Sequence, residues 1–196
     1  MFCRLPGRLR GTANGCPLRP AHRACLLQEP KKERERGDRI RAGYTGFREE
    51  NMKTAIVYYS KHHGNTKKLL DAIAAKNEVT LIDVTEHRSA ELSGYDRIGF
   101  ASGIYYNSFA KQLLSFAQEH LPENKDVFYI FTHGAPKVLF PAAIRRIAEQ
   151  KHCKELGFYH CTGFDTFGPF RLVGGIAKGH PNEEEINAAA AFYRKL

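Results

Sequence analysis

The spacing of apolar positions divides the chain near Met52. Before it, Pro6, Gly7, Gly11, Gly15, Pro17, Pro20 and Pro30 interrupt every apolar run, and no period survives between them. The stretch Lys31-Lys32-Glu33-Arg34-Glu35-Arg36 adds a charge run with no apolar face. After Met52 the pattern becomes regular. Thr54–Tyr59 is an unbroken apolar, β-branched run, suited to a strand buried on both faces. Asn65–Lys76 sets Leu69, Leu70, Ile73 and Ala74 on one helical stripe. Glu78–Val84 predicts a second strand and, after a short polar link, Arg97–Ala101 a third. Ser108–His120 predicts a helix with Phe109, Leu113, Phe116 and Ala117 inward, and Asp126–Thr132 a fourth strand. Val138–Lys151 is the next helix, Glu155–Thr162 the fifth strand and Asn182–Leu196 the last helix. Glu183, Glu184 and Glu185 fall in that helix's first turn, where the macrodipole favours acids.

Five strands alternating with helices imply an α/β fold, a parallel sheet covered on both faces. Right-handed crossovers make it doubly wound. Two five-stranded orders satisfy the pattern, 2-1-3-4-5 and a truncated dinucleotide-binding sheet. Both place ligands at the carboxyl ends of the strands. The loops to inspect are therefore 60–65, 102–107, 132–137 and 163–181.

Charge sharpens the division at Met52. Residues 1–51 carry ten Arg and two Lys against six acids, whereas 52–196 carry six Arg and twelve Lys against fifteen acids. Most of the basic excess thus precedes the regular region, whose own small excess is no nucleic-acid footprint. No continuous apolar core marks a secretory signal, and the Pro and Gly content spoils the amphipathic helix of a transit peptide. Met52 is the only methionine after Met1, the Arg-to-Lys preference reverses there, and Arg48-Glu49-Glu50-Asn51 can be encoded almost wholly by purines, as at a ribosome-binding site. Residues 1–51 are accordingly expected to be a disordered basic tail or a misassigned N-terminal extension, and 52–196 the folded domain. No apolar run approaches the roughly 18 residues of a spanning helix. Cys3, Cys16, Cys25, Cys153 and Cys161 form no CxxC pair. An odd cysteine count without such pairs predicts reduced thiols and a cytoplasmic protein. The arrangement of His152, Cys153, His160 and Cys161 matches no usual zinc spacing.

The first carboxyl-end loop reads Ser60-Lys61-His62-His63-Gly64-Asn65-Thr66. Hydroxyls, backbone N–H groups and a helix N-terminus together make an anion site. Gly64 permits close backbone approach, and Asn65 or Thr66 can cap the helix. Neither GxGxxG nor GxxxxGK[ST] is present, which disfavours NAD and P-loop nucleotides. A tight turn with two solvated histidines would look the same from these residues alone.

With Tyr59 before it, this loop resembles the phosphate loop of the flavodoxins, a hydroxyl residue followed by a Gly-Asn-Thr end at the tip of the first strand. Ser60 to Gly64 is one residue longer than the commonest flavodoxin spacing, and the His-His form is similar to that of a branch of small flavodoxin-family proteins. The resemblance covers about 145 residues, the whole of 52–196. It implies the flavodoxin-like order 2-1-3-4-5, FMN as cofactor and electron transfer as function. It implies that Ser60, His62, Asn65 and Thr66, with loop N–H groups including that of Gly64, bind the FMN phosphate, and that Lys61 or His63 adds charge. By the same resemblance Gly103, Ile104, Tyr105, Tyr106 and Asn107 cover one face of the flavin ring, the tyrosines replacing a tryptophan that this chain lacks. Thr132, His133 and Gly134 would hold the ring's polar edge. No acid occurs in residues 132–138, which predicts little negative charge beside the ring and an easily formed reduced flavin.

The last region, Gly163-Phe164-Asp165-Thr166-Phe167-Gly168-Pro169-Phe170-Arg171-Leu172-Val173-Gly174-Gly175, is long and aromatic. Loops of this length are uncommon unless functional or disordered, and a packed surface loop with three buried Phe would look the same from these residues alone. It reads as a cover over the cofactor or a docking surface, with Arg171 and Lys178 able to steer an anionic partner. Three functions remain open: an FMN electron carrier served by a reductase and an electron acceptor, an FMN-dependent NAD(P)H oxidoreductase or quinone reductase, and a non-redox module. A receiver domain would need acids where Ser60 and Ser102 stand. Neither nucleic acid nor membrane is expected as a partner.

Overall fold

The structure is a computed structural model and describes residues 52–134 and 140–196. The tail or extension before Met52, and the start of the predicted helix Val138–Lys151, lie outside the described residues. Five strands, β1 (Thr54–Tyr59), β2 (Val79–Asp83), β3 (Arg97–Gly103), β4 (Asp126–His133) and β5 (Lys154–Thr162), form one parallel sheet in the order β2-β1-β3-β4-β5. The doubly wound order 2-1-3-4-5 is therefore the one adopted. The chain moves from β1 to one side and returns to β3 on the other, which opens a crevice between them at the carboxyl end. The register aligns the strand tips, with Tyr59 beside Ser102, Gly103 beside Thr132 and His133 beside Thr162.

Among the described residues four α-helices cover the sheet: α1 (Asn65–Ala74), α2 (Lys111–His120), α3 (Ala142–Gln150) and α4 (Glu183–Tyr193). The alternation along each strand sorts side chains to two cores. Ala55, Val57, Phe100, Val127 and Tyr129 meet Leu113, Phe116, Ile144 and Ile147 of α2 and α3. Ile56, Ala101, Phe128 and Ile130 meet Leu69, Leu70 and Ile73 of α1 and Ala189 and Ala190 of α4. Cys153 packs against the first core and Cys161 is buried in the second, so the two thiols lie on opposite faces of the sheet. In the centre, Gly99 makes room for an aromatic ring. A Cβ there would stand 2.5 Å from Cζ and 2.7 Å from Cε2 of Phe128.

Two differences from the sequence reading bear on the site. α2 starts at Lys111 rather than Ser108, because Ser108 is held in a turn: Tyr105 N donates to Ser108 O at 2.8 Å and Ser108 N to Tyr105 O at 3.0 Å. β3 runs on to Gly103, since Ser102 and Gly103 still pair with Phe131 and Thr132. The long last loop is not without structure. It holds a 3-10 segment, Gly168–Val173, and an antiparallel bridge between Asp165 and Ile176. α4 then begins with a capping box in which the Asn182 side chain accepts from Glu185 N and the Glu185 side chain accepts from Asn182 N.

Candidate functional site

The loop after β1 is shaped by two successive left-handed residues, His63 (φ 55°) and Gly64 (φ 63°), and Gly64 caps α1 without a side-chain bond. A first helical turn leaves its N–H groups without intrahelical partners. One of these, Lys67 N, donates to Ser60 Oγ at 3.1 Å, so the serine closes the loop on the helix. Asn65 and Thr66 are buried. Asn65 Nδ2 donates to Phe164 O at 2.7 Å, while its Oδ1 is buried with no hydrogen-bond partner. Thr66 Oγ1 lies 3.0 Å from Thr132 Oγ1, and one of these hydroxyls must donate to the other. That leaves a single hydroxyl proton between them for a ligand. His63 turns away towards the last loop, with Nε2 2.8 Å from Thr166 Oγ1 and its ring 4.4 Å from that of Phe164.

After β3, Tyr106 (φ 50°) and Asn107 (φ 61°) are the two central residues of the tight turn closed by Tyr105 and Ser108. Positive φ at both positions is the geometry of a two-residue hairpin turn. It lifts Tyr106 out to 86% exposure, edge-on to Phe167 at 5.6 Å. Tyr105 lies lower, 5.6 Å from the His62 ring and 5.9 Å from Tyr59. Burial pushes its phenol up to about 12, with Tyr59 and Asp165 adding to the effect.

At the end of β4, a Cβ on Gly134 would collide with the Asp165 carboxylate. Asp165 is set there by its own turn, in which Phe167 N donates to Oδ1 at 2.7 Å. The acid that residues 132–138 lack in sequence is thus supplied by the loop after β5, and the expected shortage of negative charge beside the β4 tip is corrected. His133 Nε2 lies 3.1 Å from His160 Nδ1 on β5.

These loops line a groove at the crevice between β1 and β3. From the first loop Ser60, His62, Asn65 and Thr66 line it, from the second Gly103, Ile104, Tyr105 and Tyr106, and from the third Thr132, His133 and Gly134. The remaining residues singled out from the sequence, Lys61, His63, Gly64 and Asn107, are not among its lining. Three of them have positive φ and shape the backbone instead. Gly163, Phe164, Asp165 and Phe167 complete the wall. The sequence marked their loop only by its length and aromatic content. Phe164 is half-buried, whereas Phe167 and Phe170 are exposed. The groove therefore offers a helix N-terminus and hydroxyls at its closed end and flat aromatic surface at its mouth, a set suited to a ligand with an anionic tail and a planar head.

Comparison with known proteins agrees with this architecture. A family model described as a flavodoxin domain matches residues 56–138. An uncharacterized protein of Methanocaldococcus jannaschii is 35% identical over 147 residues, which span 74% of this chain and 98% of that protein. Among solved structures, a Fusobacterium nucleatum flavodoxin bound to flavin mononucleotide superposes with a TM-score of 0.52 at 16% identity, covering 74% of this chain and 98% of that one. An NADPH-quinone reductase from P.pentosaceus superposes with a TM-score of 0.51 at 15% identity, covering 72% and 97%. At such identities the two structures speak for the fold.

Proposed function

This chain belongs to the flavodoxin family, and from that premise we propose that it binds FMN in the groove between β1 and β3 and passes electrons between partner proteins. The observation that carries this reading is Asn65. Its Oδ1 is a buried acceptor with no partner, at the N-terminus of α1 and on the groove wall. A buried polar atom left unsatisfied costs about 1–3 kcal/mol, and a polyhydroxyl chain joined to a phosphate would supply both a donor for Oδ1 and an anion for the helix end. Ser60, Thr66 and the loop N–H groups would hold the phosphate. Tyr106 would lie against the flat ring system, and His133 and Gly134 would border its polar edge. FMN, when bound, supplies the one- and two-electron chemistry. The chain's part is to bind it, orient it and set the charge around it. The proposed partners are a reductase and an electron acceptor.

The visible absorbance of the purified protein with added FMN tests this. Flavin bands that travel with the protein through gel filtration are expected. A colourless protein that leaves FMN fluorescence unquenched overturns the reading. A second reading, an FMN-dependent NAD(P)H oxidoreductase or quinone reductase, draws support from the exposed Tyr106 and Phe167 at the groove mouth, where a second planar molecule could stack. Turnover of NADPH by the pure holoprotein favours the enzyme. A requirement for an added reductase favours the carrier.

A further inference from the structure

His133 and His160 stand side by side on β4 and β5, and His133 lines the groove. Their facing nitrogens are 3.1 Å apart, with ring centroids at 5.2 Å. His160 is held by stacking on Phe131 at 5.1 Å and 11°, and beside Phe158 at 6.1 Å and 18°. A bulge puts it there. Val127 pairs with Glu155 but Phe128 pairs with Gly157, so Leu156 is the extra residue and His160, not Tyr159, comes into register with Phe131.

Two imidazoles so placed can share one added proton, while a second would set two cations at hydrogen-bond distance. Burial, and then the charge of His133, hold the His160 pKa below its usual value. The added proton therefore belongs to His133, on the groove side, with His160 as the neutral acceptor. Among the other titratable groups of the surroundings, Asp165 packs on the neighbouring Gly134 and favours a cation nearby. Tyr105 on the opposite wall stays neutral up to about 12. Arg145 of α3 and Glu155 of β5 are joined by two 2.7 Å bonds and neutralise each other.

We propose that the His133–His160 pair is a charge-compensating proton site for the reduced flavin. This rests on the FMN reading above. In the step, two electrons from an external reductant would enter the bound ring together with one proton, and the pair would take up a second proton from solvent, leaving His133 with both ring nitrogens protonated and one N–H donating to His160. Reduction then consumes two protons per two electrons over the pH interval in which the pair is neutral beside oxidised FMN and protonated beside reduced FMN. Outside that interval it consumes one. His160 is a positioning residue, acting through His133.

The test is to measure the dissociation constants of oxidised and dithionite-reduced FMN across pH, with histidine Cε1–H NMR titrations of the wild-type holoprotein in both states. The ratio of reduced to oxidised constants is expected to rise up to tenfold per pH unit through the interval. His133→Gln should flatten this rise, His160→Phe should move it to lower pH, and His160→Gln, which keeps an acceptor, should restore it. The NMR pKa of His133 should be higher in the reduced protein. A His133 titration that is identical in both states, or a pH dependence that survives His133→Gln, overturns the proposal while leaving FMN binding intact. Failure of the wild-type protein to bind FMN overturns both readings.

Discussion

Asn65 Nδ2 donates to the carbonyl of Phe164 at 2.7 Å, fastening the start of α1 to the loop after β5 across 99 residues of chain. His63 makes a second fastening to Thr166 in the same loop. The loop that would hold an anion and the loop that would cover its ligand are thus one mechanical unit. Substitutions in one should be felt in the other.

Asn65→Ala removes this donor and the unpartnered Oδ1 together. We expect a fall in stability of about 1–3 kcal/mol and a loss of FMN affinity of about tenfold or more, read by urea unfolding and by fluorescence titration. Unchanged affinity would remove Asn65 from the binding site.

Gly163→Ala attacks the same joint from the other side. Its Cβ would stand 2.8 Å from Asn65 Nδ2 and 3.1 Å from Cγ. The substitution should cost FMN affinity as Asn65→Ala does. In the double variant the two losses should fall short of additive, because both act on one contact. Strict additivity in a double-mutant cycle would show that they act separately.

Tyr106→Ala should separate binding from stability. The side chain is 86% exposed, so unfolding should shift by no more than about 0.5 kcal/mol. Loss of an aromatic contact of about 0.5–1.5 kcal/mol should weaken FMN several-fold and reduce quenching of its fluorescence. Wild-type quenching in this variant would place the ring elsewhere.

Gly99→Ala tests the packing beneath the site. A methyl group 2.5 Å from Phe128 Cζ cannot be accommodated without movement. Overpacking of this kind costs about 1–3 kcal/mol. Phe128→Leu in the Gly99→Ala background should recover part of that loss, measured by the urea midpoint.

Alkali should weaken the fold in a defined window. Burial pushes Tyr58 and Tyr105 up to about 12 from 10.0, and Cys161 up to about 12 from 9.0. Above the unfolded values the folded chain binds more protons than the unfolded one, so stability falls as pH rises. The urea midpoint should be level up to about pH 9 and drop steadily towards pH 12, with the phenolate absorbance of Tyr58 and Tyr105 appearing only on unfolding. A level midpoint through that window would count against the burial of these groups.

β1 was legible to the residue, since Thr54–Tyr59 is apolar or β-branched at every position, which suits a strand buried on both faces. The start of α2 was not, because nothing local in Tyr105–Ser108 reveals that a hairpin turn competes with the first helical turn. The groove walls contributed by the first three loops were legible for a topological reason: loops at the carboxyl ends of neighbouring strands must converge. Local periodicity and turn chemistry therefore determined the elements, their succession along the chain and three of the loops that meet, while two sheet orders stayed open until the fold chose 2-1-3-4-5.

Tertiary structure decided what crosses between loops and strands. It brought Asp165 onto Gly134 from more than thirty residues away, supplying a charge that the β4 loop lacks. It set His160 beside His133 through the bulge at Leu156, where one residue inverts which side of β5 faces which core. It gave Gly99 its necessity through the Phe128 ring. None of these is encoded in a window of sequence, because each depends on strand register and on the volume left by distant side chains.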